Sequence, residues 1–139
     1  MENLCVNRFM LKYASGLSLS VEEATAVRRA PTYLADIQAN INKGMYNPFE
    51  GLTTRQKLEL QAYLVFSREN AFTSEAQGHT PAIDSVRTIL KEDHPYQDDP
   101  RALDYDLAVN LNKLKDMRQS PLSAKIGIDE HGTPYTSKD

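Results

Sequence analysis

Helix-start signals recur along this chain, and each is followed by an apolar pattern of helical period. Ser20-Val21-Glu22-Glu23 is a capping box: the Ser20 hydroxyl can accept from the Glu23 amide while the Glu23 carboxylate returns to the Ser20 amide. Leu19 and Ala24 occupy the positions of a hydrophobic staple. Thr53 and Gln56 repeat the box, and Thr80-Pro81 and Asp99-Pro100 each place proline at a first helical position, where its missing N–H costs nothing. Such punctuation commits most of the chain to short helices that must pack on one another.

The first segment, 4–14, is apolar at Leu4, Val6, Phe9, Met10, Leu11 and Tyr13, with Arg8 and Lys12 on a wetter face, and Gly16 ends it. The helix opened by Ser20 is expected to stop at Arg28 or Arg29, because Pro31 biases Ala30 away from helical geometry. Pro31 then opens a third helix with Tyr33, Leu34, Ile37 and Ile41 on one face and Gly44 as its C-terminal stop. Met45 to Gly51 reads as a turn around Asn47-Pro48. The helix from Thr53 to about Glu69 carries Leu58, Leu60, Ala62, Leu64, Val65 and Phe66 and is the candidate for the central buried helix. Its alternation also suits a strand, but its length, cap and content of Gln, Lys, Glu and Leu favour a helix.

After a polar loop over 70–79, Ala82, Ile83, Val86, Ile89 and Leu90 follow helical spacing from Pro81. From Pro100 the seam is Leu103, Leu107, Leu111 and Leu114. Asp104 and Asp106 lie early in that helix and Lys113, Lys115 and Arg118 late, which complements its dipole. Ser120-Pro121 closes it. In the remainder, Ile126 and Ile128 alternate, His131-Gly132 supplies a turn, and Thr133 to Thr136 can return as a second strand. A two-stranded hairpin is marginal in water, so this one needs the helical body or a neighbouring chain to hold it. The expected fold is therefore mainly α: five or six helices in a domain over 1–119, then an extended C-terminal arm over 120–139 containing a short β-hairpin. The expected core is Leu58, Leu64, Val65, Phe66, Val86, Ile89, Leu103, Leu107, Leu111 and Leu114.

At 139 residues with 40% apolar and 25% charged content, the chain matches one ordinary globular domain. Its single cysteine, Cys5, cannot close a disulfide within the chain, which fits a reducing compartment. Cys5 reads as a small buried apolar residue; nothing in sequence pairs it with a histidine to make a nucleophile. The start Met1 to Arg8 lacks the pattern of a signal peptide, and the longest apolar run, 62–66, falls far short of the ~20 residues a membrane span needs. The expected location is the cytoplasm, or a particle assembled there.

The net charge of -3 gives no overall attraction to nucleic acid or an anionic membrane. It is unevenly spread: residues 92–106 hold six carboxylates (Glu92, Asp93, Asp98, Asp99, Asp104, Asp106) against Arg101 alone. Four of these carboxylates and His94 fall within 92–99 and could in principle gather an oxygen-seeking divalent cation. Their spacing fits no EF-hand or His-Glu-x-x-His pattern, and Asp98 and Asp99 have a simpler use as helix cap and first-turn charge. His79 and His131 sit in turn contexts. No phosphate loop, nucleophile elbow or dinucleotide fingerprint occurs, so we expect neither catalytic residues, metal nor cofactor.

Three functional readings follow. The first is a non-catalytic structural or assembly protein acting through contacts with other protein chains, as a homo-oligomer or a subunit of a larger particle. The architecture of a small helical body with a terminal arm resembles that of viral head-to-tail adaptors and connectors. Its expected contact residues are Pro121, Leu122, Ile126, Ile128 and Tyr135 on the arm, with Asp98 and Asp99 on the acidic loop. In the second, the order of helices and hairpin over 52–136 resembles a winged-helix domain, which implies a nucleic-acid-binding regulator. Asp98, Asp99, Asp104 and Asp106 would, however, meet phosphates with the wrong sign. The third is a small inhibitor or adaptor that binds one cellular protein through the acidic 92–106 surface, its association slowed by salt.

Overall fold

In a computed structural model, residues 20–70, 81–116 and 122–136 are described. They form four helices and one small sheet: α1 (Val21–Asn42), α2 (Thr54–Asn70), α3 (Pro81–Leu90), α4 (Pro100–Asp116), β1 (Ile126–Ile128) and β2 (Pro134–Thr136). The protein is mainly helical, as its punctuation implies. The expected helix over 4–14 lies outside the described residues, as does the expected domain boundary at 119/120.

Among the described residues the helices number four against the five or six expected for the chain, and the correction within them lies at Pro31. The expected second and third helices are one continuous α1, with Pro31 inside it. Proline there gives up the bond that residue 31 would donate to the Val27 carbonyl. The helix persists because Val27, Ala30, Pro31, Leu34 and Ile37 make one buried stripe across the proline, at spacings of three and four. Breaking the helix at Ala30 would rotate one half of that stripe away from α2.

Both ends of α1 are as its sequence requires. The Ser20 hydroxyl accepts from Glu23 N at 3.0 Å, and the Glu23 carboxylate accepts from Ser20 N at 2.9 Å. At the other end Met45 N donates to Asn40 O and Gly44 N to Ile41 O, a Schellman closure that needs the positive φ of 77° at Gly44. The following turn is ordered by Asn40, whose amide donates to the carbonyls of Pro48 and Glu50, and by Asn47, whose side chain accepts from Phe49 N. Together they drive Phe49 into the core, where it is 1% exposed.

Helix α2 lies at the centre, packed against α1, α3 and α4. The second capping box opens it: Gln56 N donates to Thr53 Oγ1 at 3.1 Å and Thr53 N to Gln56 Oε1 at 2.8 Å. Every residue from Leu58 to Leu64 is buried. A helix enclosed on all sides has no polar face, which explains the strand-like alternation that its sequence shows. Every residue expected in the core is packed there, with Val65 only partly buried. The core also takes Val27, Tyr33, Leu34 and Ile37 from α1, together with Leu122 and Ile126 from the C-terminal segment.

The expected hairpin forms. β1 and β2 are antiparallel, with Ile126 opposite Thr136, Gly127 opposite Tyr135 and Ile128 opposite Pro134. The body holds it, since α4 packs on both strands. Gly127 lets the Tyr135 ring lie close over the strand: a Cβ there would fall 2.7 Å from the far end of that ring and push it aside.

Candidate interaction face

Two inward clusters of polar groups account for several of the chain's most chemically suggestive residues. Glu59, 2% exposed on α2, accepts from the Tyr33 hydroxyl at 2.6 Å and pairs with Arg29 at 2.7 Å, with Arg55 at 3.5 Å. Burial, and next the bond to Glu59, push the Tyr33 phenol up to about 12. The carboxylate is thus surrounded by donors that tie α1 to α2. In the second cluster Tyr96 donates to Asp106 at 2.7 Å and accepts from Gln61 at 3.2 Å, while Asn110 donates to Gln61 at 3.3 Å. Burial, then the Asp106 bond, hold the Tyr96 phenol up at about 12. Lys57 and Asp104 pair at 3.0 Å. Asp104 and Asp106 therefore clip helices and loop together.

Asp99 caps α4, its Oδ1 accepting from Ala102 N at 3.3 Å. Among the described residues no group of three or more His, Cys, Asp or Glu side chains is placed to hold a metal ion. Nor is any described helix long and apolar enough to cross a membrane.

A concavity lies between the first turns of α4 and the hairpin turn. It is an open groove of about 590 Å³, walled by Asp99, Arg101, Tyr105 and Asp106 on one side and Glu130 and His131 on the other. Arg101 donates across it to the His131 carbonyl at 3.2 Å. The turn is organised by Asp129: Oδ1 accepts from the main-chain N–H of His131 and of Thr133, both at 2.9 Å, and Oδ2 from the Tyr46 hydroxyl at 2.8 Å. Those donors, Thr133 N–H first and the Tyr46 hydroxyl next, hold the Asp129 carboxyl below the usual carboxylate range. Tyr46 in turn stacks on Tyr135, ring centroids 5.7 Å apart. Beside the groove Tyr105 is 49% exposed, and Tyr46 is 55% exposed.

The residues expected to meet a partner are divided by this geometry. Leu122 and Ile126 are 4% and 2% exposed within the chain's own core. Both side chains are turned into the body rather than toward solvent. Ile128 is half-buried against the core, and Tyr135 is half-buried between Gly127 and Tyr46. Asp98 and Asp99 are exposed, Asp99 on the groove wall. Pro121 lies outside the described residues.

Sequence reasoning missed Tyr46, Tyr105, Arg101 and Asp129. Asp129 alone carried a signal, an aspartate three residues before Gly132 in a turn. No family model matches this chain, and neither a curated protein nor a solved structure does.

Proposed function

We propose that the protein is a non-catalytic assembly subunit that joins other protein chains through its hairpin-side face. The observation that carries this reading is Tyr105, half exposed on the wall of a groove framed by charged residues, with the half-exposed Tyr46 bonded to Asp129 of the hairpin turn. Tyrosine offers a large, rigid, amphipathic contact area and is enriched where proteins meet. The buried polar clusters support the same reading, because Glu59, Asp104 and Asp106 are engaged in tying elements of the body together. The finer expectation, a connector in a virus particle, rests on the architectural likeness alone.

Light scattering on the purified chain from micromolar to near-millimolar concentration tests the reading. Self-assembly raises the mass above 15.7 kDa, and Tyr105→Glu at the exposed face lowers it again without loss of helix content. A chain that stays at monomer mass in every buffer and retains no protein partner sinks the proposal. A one-to-one complex with a single foreign protein, weakened by salt, would instead favour the small inhibitor or adaptor.

One observation keeps a nucleic-acid reading in view: α2, α3, α4 and the hairpin follow one another in winged-helix order. Asp98, Asp99 and Glu130 at the corresponding face oppose phosphate. A gel-shift titration without retardation at low ionic strength removes that reading.

A further inference from the structure

Residues 122–136 run back along α4 as a strap. Ser123 comes beside Lys115, whose Nζ donates to the Ser123 carbonyl at 2.9 Å, and Ile126 comes beside Asn112. The body receives this strap through side chains that act as a neighbouring strand would. The Asn112 carboxamide engages both main-chain groups of Ile126, donating to its carbonyl at 2.7 Å and accepting from its N–H at 3.0 Å. Gln38 on α1 holds Ser123 by one main-chain group and its side chain, accepting from its N–H at 2.9 Å and donating to its hydroxyl at 3.1 Å.

On the other edge the Tyr46 carbonyl accepts from Thr136 N and the Met45 carbonyl from the Thr136 hydroxyl, both at 3.1 Å. Leu122 and Ile126 fill the apolar floor of the slot. The body thus contains a built receptor for an extended segment, and the segment that fits it is this chain's own 122–136.

We infer that this slot also accepts the strap of a second copy, so that two chains join by exchanging residues 122–136 reciprocally. The inference rests on the assembly reading and names its partner. None of the contacts above depends on which chain supplies the strap, so exchange preserves them all. Six residue steps separate Asp116 from Leu122 and reach at most ~20 Å. The two bodies must therefore lie side by side with the C-terminal ends of α4 close together. A reciprocal exchange of this kind is two-fold and closes at the dimer.

The test uses two full-length chains, each with Cys5→Ser: one carries Asp116→Cys and the other Lys125→Cys. Asp116 and Lys125 face each other across body and strap at 3.2 Å, and both side chains are more than half exposed, so neither change disturbs the slot. The two variants are unfolded and refolded together at high concentration, then treated with a short bismaleimide cross-linker. Neither can link 116 to 125 within one chain, so a 116–125 link found by peptide mass spectrometry reports a strap seated in trans.

The inference expects that link, in a yield that rises with concentration and falls severalfold when Asn112→Ala is added to the Asp116→Cys chain. If light scattering shows an oligomer but no 116–125 link forms, strap exchange is overturned while the assembly reading stands. If the chain is monomeric throughout and no link forms, both fall.

Discussion

Glu59 shows how far a single residue's role can depart from its type. A glutamate on a helix is ordinarily a solvated charge, yet here it is enclosed and held by Tyr33 and Arg29. Removing one partner of a buried pair costs roughly 3–5 kcal/mol when the survivor stays buried. Arg29 and Arg55 are more than half exposed and return to water, so Glu59→Ala is expected to cost nearer ~2 kcal/mol, chiefly through the stranded Tyr33 hydroxyl and the space left behind. Urea unfolding of the variant checks this; an unchanged midpoint would mean that the cluster contributes nothing.

Tyr33 and Tyr96 carry a pH prediction with a definite sign. Their folded-state values of about 12 lie above the ~10 of a free phenol. Their contribution is then complete below pH ~10 and is lost as pH rises toward 12, because the unfolded chain releases protons that the folded chain keeps. Alkaline titration of the phenolate absorbance should show two tyrosines ionising last, and Tyr33→Phe with Tyr96→Phe should remove that part of the alkaline loss of stability. None of this was readable from the sequence, since Glu59, Gln61, Tyr33 and Tyr96 meet only when α1, α2 and the 91–99 loop are packed.

Elements proved legible where their signals are local. The two capping boxes, the proline starts of α3 and α4, the Gly44 stop and the hairpin turn depend on neighbours within a few residues, and each is where the sequence placed it. Ser20→Ala should cost ~1 kcal/mol by leaving a first-turn amide without its acceptor, seen as a lower melting temperature and faster amide exchange at the start of α1. The hairpin offers a sharper test: in Gly127→Ala the new methyl collides with the Tyr135 ring, for ~1–2 kcal/mol. That ring stacks on Tyr46, so the 45–46 segment should loosen too, and tyrosine ring signals that do not move would contradict the packing described. α1 was misread because Pro31 is a local signal to stop, whereas the buried stripe that overrides it exists only once α2 is beside it. Phe49 was missed for a like reason, a turn residue pulled inward by Asn40 across the loop.

At the scale of the whole molecule, the C-terminal segment is where the expectation and the structure differ most in consequence. An arm over 120–139 implies a body that folds without it. Yet Leu122 and Ile126 complete the core, and side chains of that size contribute ~1.5–3 kcal/mol each on burial. Truncation after Gln119 should therefore destabilise the chain by ~4 kcal/mol or more, measured by thermal or urea unfolding. A truncated protein as stable as the full chain would show that the strap is only an attachment.

The acidic stretch was legible as a charge count, but its members part company in space: Asp104 meets Lys57 and Asp106 meets Tyr96, leaving Glu92, Asp93, Asp98 and Asp99 at the surface. Sequence by itself determined the mainly helical class, most helix ends, the hairpin and most of the core, because caps, prolines and apolar periods act over one or two turns. Tertiary structure alone decided that α1 runs unbroken through Pro31, that Glu59 is buried, and that residues 122–136 seat in a slot made by Gln38, Asn112 and Tyr46. Those outcomes depend on contacts between residues tens of positions apart, whose free energy no local pattern encodes.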